Sequence, residues 1–451
     1  MKIICIAMLI SLLALASLSS TYAMANAEGK TSGNSIIAST ENPAIVKNEV
    51  LVKKDSVNYT ELRHIILKGT NEQIGKALGE IAREDYNVSL NSYADPLYVK
   101  ARLIYMQDND PALYAKARLI YMQNNDPALY ERMKGVAEAY NVSINSTNLD
   151  LSALIYDLGS PGCSIVYFPP SVTSNGHAMA CRNNDYYTSP YEEIIGKTNN
   201  SSQPCMFSRT FVLELYPDEG YSSLVVGSND LMSAMLQGFN SQGLAIEEQI
   251  DIFGANATDP SAGGIPLLAA QRVILDTCKN IDEAKIALLN NKVRFEQEGY
   301  HFMIYDKYGN STIAEFFSKN GSVHFIDAFN SIRVMTNHPV SLSRNEYSIN
   351  NHSPDSYYDS FRRYMTLTNI TSNHTGKFTP KDMVDTLSSV NAEIPYKSMN
   401  LRTETNLLQD LTNSTISARV YLRDGPTDPV IEGPTNIFSK FFNFTLEKDP
   451  A

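Results

Sequence analysis

The sequence lacks several features on which large classes of protein depend. Basic residues are in deficit, because 37 Lys and Arg stand against 49 Asp and Glu, giving a net charge of −12 over 451 residues. Nucleic-acid binding requires a basic face that neutralises phosphates, so we expect no nucleic-acid partner. The sequence also contains no glycine-rich phosphate-binding loop, no HExxH zinc motif and no paired CxxC motif. We therefore expect neither a metal nor a cofactor.

Long apolar runs are confined to the N-terminus. Residues 3–18 form an uncharged apolar segment after Lys2, and small residues spaced for cleavage follow at 23–25 and 25–27. This pattern is typical of a signal peptide, and the run is short for a retained membrane anchor. We expect residues 1–27 to be removed and the protein to be exported (secreted, periplasmic or lumenal), with no stable membrane span afterwards.

Cysteine is scarce, with five residues in the whole chain. Removal of residues 1–27 would leave Cys163, Cys181, Cys205 and Cys278. Export predicts an oxidising compartment in which disulfides persist. If Cys163 is a nucleophile, the pairing of the other three stays open, since sequence alone does not define it.

The sequence does contain a strand–loop–strand pattern between Ser160 and Asp185. Cys163 opens the first apolar run, and Arg182 and Asp185 close the second. Antiparallel pairing of two strands joined by a short loop would bring these ends together. The pattern predicts a thiol beside a cation and a carboxylate, which is typical of an activated nucleophile. A small buried structural cysteine is an equally good interpretation of the same residues.

The rest of the chain predicts an α+β architecture. Residues 28–54 are polar and predict a flexible lead-in, and residues 60–158 are mostly helical in pattern, with a strand at 62–68 and a capping box joining Thr70 to Gln73. A sixteen-residue duplication within 97–128 predicts a tandem insertion without catalytic meaning. Strand patterns dominate from Cys163 onward, with helices predicted at 265–279, 280–290, 360–367 and 380–388. No linker divides the chain, so we expect two mainly antiparallel sheets covered by helices.

Several motifs occur in an order that suggests a known family. They are Gly69-Thr70 with Gly75 and Gly79, Gly162-Cys163, Arg182-Asn183-Asn184-Asp185, Gly238-Phe239-Asn240 with Gly243-Leu244, Thr336-Asn337-His338, Ser356 with Arg362, and Gly425-Pro426. In these motifs the chain resembles the isopenicillin N acyltransferase-like family of cysteine N-terminal-nucleophile (Ntn) hydrolases, relatives of penicillin V acylase and choloylglycine hydrolase.

The resemblance implies a four-layer αββα Ntn-hydrolase sandwich, preceded by an N-terminal helical segment, and a proenzyme. Cleavage between Gly162 and Cys163 would leave residues 28–162 as a propeptide or small subunit and residues 163–451 as the catalytic region. The exposed α-amino group of Cys163 would then act as base for its own thiol. Reference pKa values of about 8 and about 8.5 make that proton transfer nearly balanced.

The resemblance also implies roles for individual residues. Asp185 would hold the α-amino group or the polar end of the substrate, and Arg182 would favour the thiolate. Asn337 would donate a hydrogen bond to the oxyanion, while Ser356 and Arg362 would position the substrate or support the site. A second oxyanion Asn found in choloylglycine-type enzymes has no counterpart at 245–250, which leaves the second donor open.

These inferences predict an exported, self-cleaving amidohydrolase that acts on a linear, non-peptide C–N bond of a small-molecule amide. An acyltransferase of the isopenicillin N type and a non-catalytic binding module with the same fold are the alternatives. A papain-like enzyme pairing Cys163 with His301 or His338 is a third. Self-cleavage would give two subunits, and homo-oligomerisation is left open.

Overall fold

The computed structural model describes the following residues: 42–87, 120, 122–145, 162–188, 208–228, 235–251, 265–291, 293–294, 299–316, 322–341, 360–393, 395–396, 399–429 and 433–448. The predicted signal peptide, most of the duplication, Cys205 and Ser356 lie outside these residues.

The described strands form two large sheets and one two-stranded sheet. In chain order they are β1 (Ile45–Val52), β2 (Glu61–Gly69), β3 (Gly162–Phe168), β4 (Met179–Tyr187), β5 (Arg209–Pro217), β6 (Ser223–Ser228), β7 (Met235–Asn240), β8 (Leu244–Asp251), β9 (Ile265–Pro266), β10 (Val293–Arg294), β11 (Gly299–Asp306), β12 (Asn310–Phe316), β13 (Val323–Phe329), β14 (Arg333–Met335), β15 (Pro395–Tyr396), β16 (Met399–Asp410), β17 (Thr415–Asp428), β18 (Gly433–Phe438) and β19 (Phe442–Thr445).

The two large sheets are called sheet A and sheet B, and in the two-stranded sheet β9 pairs with β10. In the described part of the chain, sheet A has nine strands in the order β1-β2-β5-β6-β7-β8-β11-β12-β13. Sheet B follows the path β14-β3-β4-β16-β17-β18, with β15 paired to β16 and β19 paired to β17. Within both sheets the pairing is antiparallel, except that β2 runs parallel to β5.

The described helices are α1 (Asn71–Glu84), α2 (Pro127–Ala139), α3 (Leu267–Thr277), α4 (Ile281–Asn290), α5 (Ser360–Asn373) and α6 (Pro380–Ser388). The expected capping box is present at the start of α1, and Asp126 caps α2 with Pro127 in its first turn. In the part of the chain that the structure describes, no helix has the length and apolar character needed to cross a membrane.

The three larger apolar cores lie between the elements, which are arranged in four layers. The central core lies between the sheets and includes Ile165 and Tyr167 of sheet B with Val226 and Met303 of sheet A. Helices α1 to α4 pack on the outer face of sheet A, and helices α5 and α6 pack on the outer face of sheet B. This arrangement confirms the expected αββα sandwich.

The N-terminal region contributes strands as well as helices. The expected flexible lead-in is wrong for Ile45–Val52, which forms β1 at the edge of sheet A. Half of the β1 residues are exposed and the other half are only partly buried, so the strand carries little apolar signal and depends on backbone pairing with β2. Because β2 in turn pairs with β5, the region before residue 162 is built into the sheet of the region after it.

Helices α1 and α2 cross closely enough to require glycine at the contact. A Cβ added at Gly75 would lie 2.0 Å from the backbone oxygen of Arg132, and one added at Gly135 would lie 2.0 Å from that of Glu72. Both distances are far shorter than any non-bonded contact between real atoms. The spacing of glycines in α1 therefore serves helix packing.

Replacement of Gly135 by Ala is expected to lower the free energy of unfolding. The new methyl group meets backbone of α1, which moves only if the two helices separate, and overpacking of this kind costs about 1–3 kcal/mol. The gain in helix propensity, at most about 1 kcal/mol, offsets part of that cost. Urea unfolding measures the difference.

The matched control is Lys134→Ala, the preceding residue on α2, which is only partly buried. Its effect should stay within about 0.5 kcal/mol. Equal stability of the two variants would contradict the close-crossing interpretation.

Candidate active site

Pairing of β3 with β4 places Cys163 at the centre of a buried polar site. The register sets Gly162 opposite Asp185, Cys163 opposite Asn184 and Ile165 opposite Arg182. Cys163 is 2 % exposed, and its flanks on both strands are buried. The strand–loop–strand pattern therefore brings the thiol, the cation and the carboxylate to one end of the hairpin, as expected.

Arg182 lies against the thiol. One terminal guanidinium nitrogen donates to Cys163 Sγ at 3.3 Å, and the other donates to the Glu248 carbonyl oxygen at 2.7 Å. The guanidinium is fully buried, and the carboxylates of Glu247 and Glu248 approach it at 3.8 and 3.9 Å. These two acids supply the negative charge that a buried cation requires.

The thiol is held in its neutral form in this environment. Burial raises the pKa of Cys163, while the charge of Arg182 acts in the opposite direction. Its sulfur donates to Asn184 Oδ1 at 3.5 Å. A base close to the sulfur is therefore needed before the thiol becomes a nucleophile.

Asn337 contacts the backbone nitrogen of Cys163 rather than the sulfur. Its Oδ1 accepts a hydrogen bond from Cys163 N at 2.8 Å and another from Arg363 at 2.7 Å. Its Nδ2 donates to the Ile250 carbonyl oxygen at 3.0 Å. Two donors on one side and an acceptor on the other fix the orientation of the amide. In this chain, Asn337 therefore presents an acceptor to Cys163, and its amide donor is engaged elsewhere.

Arg363 is the second cation of the site. It is fully buried, donates to the carbonyl oxygen of Cys163, and donates to Ser164 Oγ at 2.9 Å. The sequence motif pointed to Arg362 instead, which the structure places on an exposed face of α5. Successive helical residues point about 100° apart, so only one of the two faces the sheet. The arginine in the site is thus one residue later than expected.

Asp185 lies beside the two cations. Its Oδ1 accepts a hydrogen bond from Thr403 Oγ1 at 2.5 Å. Burial raises the pKa of Asp185 to about 6, against the opposing influence of Arg363, Thr403 and Arg182. A carboxyl group with this pKa is ionised at neutral pH, where it can bind a positively charged group. Below about pH 6 it becomes neutral.

Other site residues were not singled out from the sequence. Burial raises the pKa of Glu247 and of Glu248 to about 7 in each case, with Arg182 opposing. The signal for them was three consecutive polar residues within the strand pattern at 244–249, where alternation with apolar residues is usual. Thr403 and Arg363 had no such signal.

The two candidate histidines are buried. Burial lowers the pKa of His301 and of His338 to about 3. His338 contacts Ser360 Oγ through Nδ1 at 2.8 Å and stacks on Phe361 at 3.8 Å. These contacts suit a structural role for His338, as the sequence suggested.

Cys181 and Cys278 are buried thiols, and no disulfide occurs among the described cysteines. Burial raises the pKa of Cys278 to about 11 and that of Cys181 further still. Neither has an environment that would activate it as a nucleophile.

Comparisons with known proteins agree with the sequence motifs. A family model described as acyl-coenzyme A:6-aminopenicillanic acid acyl-transferase matches residues 172–416, more than half of the chain. The matched segment contains Arg182, Asp185 and Asn337 and begins after Cys163. No curated protein matches the sequence.

Solved structures with a similar fold include two kinds of enzyme. Penicillin V acylase from Agrobacterium tumefaciens is 17 % identical and aligns over 57 % of this chain and 82 % of its own, with a TM-score of 0.38. Two variants of the conjugated bile acid hydrolase from Clostridium perfringens are 14 % and 15 % identical, each covering 64 % of this chain and 99 % of its own with a TM-score of 0.40. Similarities at this level assign no activity.

Replacement of Arg182 by Met is expected to raise the pKa of the Cys163 thiol further. Among the groups that lower this pKa, Arg182 has the largest effect. Without its charge, the increase in pKa caused by burial is opposed less. The apparent pKa is read from the pH dependence of iodoacetamide alkylation at Cys163, followed by mass spectrometry. Below that pKa the rate should fall about tenfold for each unit of increase.

The control for Arg182→Met is Arg423→Met, which removes an exposed cation and makes the same change in net charge. It should leave the midpoint unchanged. An unchanged midpoint in Arg182→Met would show that the guanidinium does not act on the sulfur.

Replacement of Asp185 by Asn is expected to stabilise the fold above pH 6. The folded-state pKa of about 6 exceeds the reference value of 3.8, so the folded chain keeps this proton to a higher pH than the unfolded chain does. Stability from this group is therefore lost between about pH 4 and pH 6 and stays lost above. Asn cannot ionise, so the variant should gain up to about 3 kcal/mol at pH 7.5 and nothing at pH 4.

Urea unfolding at the two pH values measures this gain, with Cys163→Ala present in both proteins so that each stays a single chain. Asp55→Asn is the control of opposite sign, because backbone N–H groups of Asn58 and Val57 lower the pKa of that exposed carboxylate. A variant at Asp185 no more stable than its parent at pH 7.5 would show that burial does not dominate there.

Proposed function

The chain belongs to the family described as acyl-coenzyme A:6-aminopenicillanic acid acyl-transferase, and from that premise we propose that it is an exported amidohydrolase. It cuts its own chain between Gly162 and Cys163 and then cleaves linear N-acyl amides through the new N-terminal Cys163. The observation that carries the proposal is the hydrogen bond from Cys163 N to Asn337 Oδ1, beside a thiol already paired with Arg182.

Self-cleavage begins with attack of Cys163 Sγ on the Gly162 carbonyl carbon. An S–C bond forms, the C–N bond to Cys163 breaks, and the thiol proton ends on the Cys163 nitrogen. Water then hydrolyses the thioester, leaving a carboxyl group on Gly162 and an amine on Cys163. Asn337 and Arg363 hold the nitrogen and the carbonyl group of Cys163, which both lie on the Cys163 side of the bond that breaks.

The same contacts suit the second reaction. The Cys163 nitrogen becomes an α-amine that keeps Asn337 Oδ1 as its acceptor, with a reference pKa near 8 that suits a base at neutral pH. The amine takes the thiol proton, the thiolate attacks the amide carbonyl, and the same proton leaves with the amine product. Water or the amine-bearing acceptor then releases the acyl group from the sulfur.

Hydrolysis and acyl transfer differ only in the acceptor of that last step. The description of the family favours transfer from an acyl-coenzyme A as the alternative function. Export favours hydrolysis, because acyl-coenzyme A is a cytosolic metabolite. N-acyl amino acids, N-acyl lactones, β-lactam side chains and lipid amides are the substrate classes to screen.

Two further alternatives predict an uncut chain. A binding module needs no reactive thiol, and a papain-like enzyme needs a histidine that takes the proton from Cys163. The contacts of His338 to Ser360 and Phe361 leave it engaged away from the sulfur. These observations favour the N-terminal amine over His338 as base.

The purified mature protein is expected to consist of two fragments, the heavier beginning Cys163-Ser164-Ile165. Cys163→Ala removes the attacking thiol and should stay a single chain, while His338→Ala should still be cut. Mass spectrometry with N-terminal sequencing determines whether the wild type and each of the two variants are cut. A single uncut wild-type chain would contradict the proposal, and an uncut chain whose activity is lost on replacement of His301 or His338 would point to the papain-like alternative.

A further inference from the structure

Asn184 carries a buried amide donor directly beside the nucleophile. It is the cross-strand partner of Cys163, so their side chains project on the same face with Cβ atoms about 5 Å apart. The residue is 1 % exposed, and its Oδ1 accepts the hydrogen bond from Cys163 Sγ. Its Nδ2 has no hydrogen-bond partner among the residues that the structure describes.

Such a donor is unusual in a folded protein. Buried amide groups almost always find an acceptor, and one that does not calls for a functional explanation. Asn183, the preceding residue, illustrates the usual case, because its Nδ2 donates to the Leu387 carbonyl oxygen and to Asn391 Oδ1, each at 3.0 Å. The two neighbouring asparagines thus differ in whether their donors are used.

Two other groups around the thiol, Asn337 and Arg363, have donors that are already engaged. Asn337 Nδ2 donates to Ile250, and Arg363 donates to the Cys163 carbonyl oxygen, to Ser164 and to Asn337. Attack of the thiolate on an amide converts the carbonyl oxygen into an oxyanion, which requires donors placed beforehand. In the described site, Asn184 Nδ2 is a neutral donor that meets this requirement next to the sulfur.

We propose that Asn184 is a catalytic residue whose side-chain Nδ2–H donates to the oxyanion formed when Cys163 attacks the substrate amide. This inference rests on the proposed function. As the Sγ–C bond forms, the C=O π pair moves onto oxygen, which accepts the hydrogen bond from Nδ2. The hydrogen bond from Nδ2 weakens when the carbonyl group re-forms and the amine departs. Asn184 gains and loses no proton in the cycle.

The test compares Asn184→Leu with the wild type on an N-acyl amide that the wild type hydrolyses. Rates are divided by the amount of cut chain, measured by mass spectrometry, so that slower self-cleavage does not distort them. Loss of one oxyanion donor should lower kcat by about 10²–10³-fold and change KM little. The aldehyde carrying the same acyl group forms a hemithioacetal with the same oxyanion, so its inhibition constant should rise by a similar factor. Inhibition by the carboxylic acid product should not change.

Thr405→Val is the matched control. Thr405 is the next residue in the same cross-strand row, opposite Asn184 on β16, and its buried hydroxyl also has no partner in the described part of the chain. It lies two strands from Cys163, about 10 Å away, too far to reach a carbonyl bonded to the sulfur. Its kcat and aldehyde inhibition should match those of the wild type.

The outcomes separate this inference from the proposed function. A wild type that is uncut, or that hydrolyses no N-acyl amide, defeats the proposed function. A wild type that is active, with kcat and aldehyde inhibition of Asn184→Leu within threefold of it, defeats only the role of Asn184. If Asn184→Leu is not cut at all, Asn184→Ser takes its place, and the same two measurements on its cut fraction decide between the outcomes.

Discussion

The site depends on the hydrogen bonds that converge on Asn337 Oδ1. Through that one atom, the Cys163 nitrogen on β3, the segment after β14 and the Arg363 side chain on α5 are joined. Further contacts hold the partners in place, because Thr336 and His338 both contact Ser360 at the start of α5, and Glu315 accepts hydrogen bonds from the backbone of Val340 and Ser341. A shift of any of these elements would move the acceptor away from the nitrogen on which the proposed chemistry depends.

Buried charge is the second constraint, and it opposes stability. Arg182 is compensated by two acids whose pKa values lie near 7 because burial disfavours their ionised forms. The Tyr305 hydroxyl also contacts the Glu247 carboxylate and lies 2.7 Å from Gln409 Oε1 on the opposite sheet. Such a network is less stabilising than an apolar core of equal volume. Its presence between otherwise apolar sheets is consistent with a function for the cation at Cys163.

Local patterns in the sequence predicted the hairpin, the helix caps and the strands whose residues alternate or are continuously apolar. These patterns failed to predict strands whose burial does not match the polarity of their residues. No residue of β1 is buried, and β16 carries the charged residues Arg402 and Glu404 into the interior. In both cases the position in the sheet, set by distant partners, decided the structure.

In the candidate site too, local patterns predicted some contacts, and distant parts of the chain determined others. Cys163, Arg182 and Asp185 lie within one hairpin, so their proximity followed from local pairing. Arg363 comes from an element 200 residues further along the chain, and only the rotation of α5 distinguishes it from Arg362. A motif defined by spacing carries no information on which face of a helix packs against the sheet.

Asn183 and Asn184 are neighbours on β4 whose side chains have different roles because they point to opposite faces of the sheet. Successive strand residues point to opposite faces, so Asn183 reaches the end of α6 on the outer face, and Asn184 reaches the thiol on the inner face. The side chain of Asn183 joins β4 to the helical layer. The register of β4 with β3 places Asn184 opposite Cys163. Residue type alone does not separate the two, since a one-residue slip would exchange their surroundings.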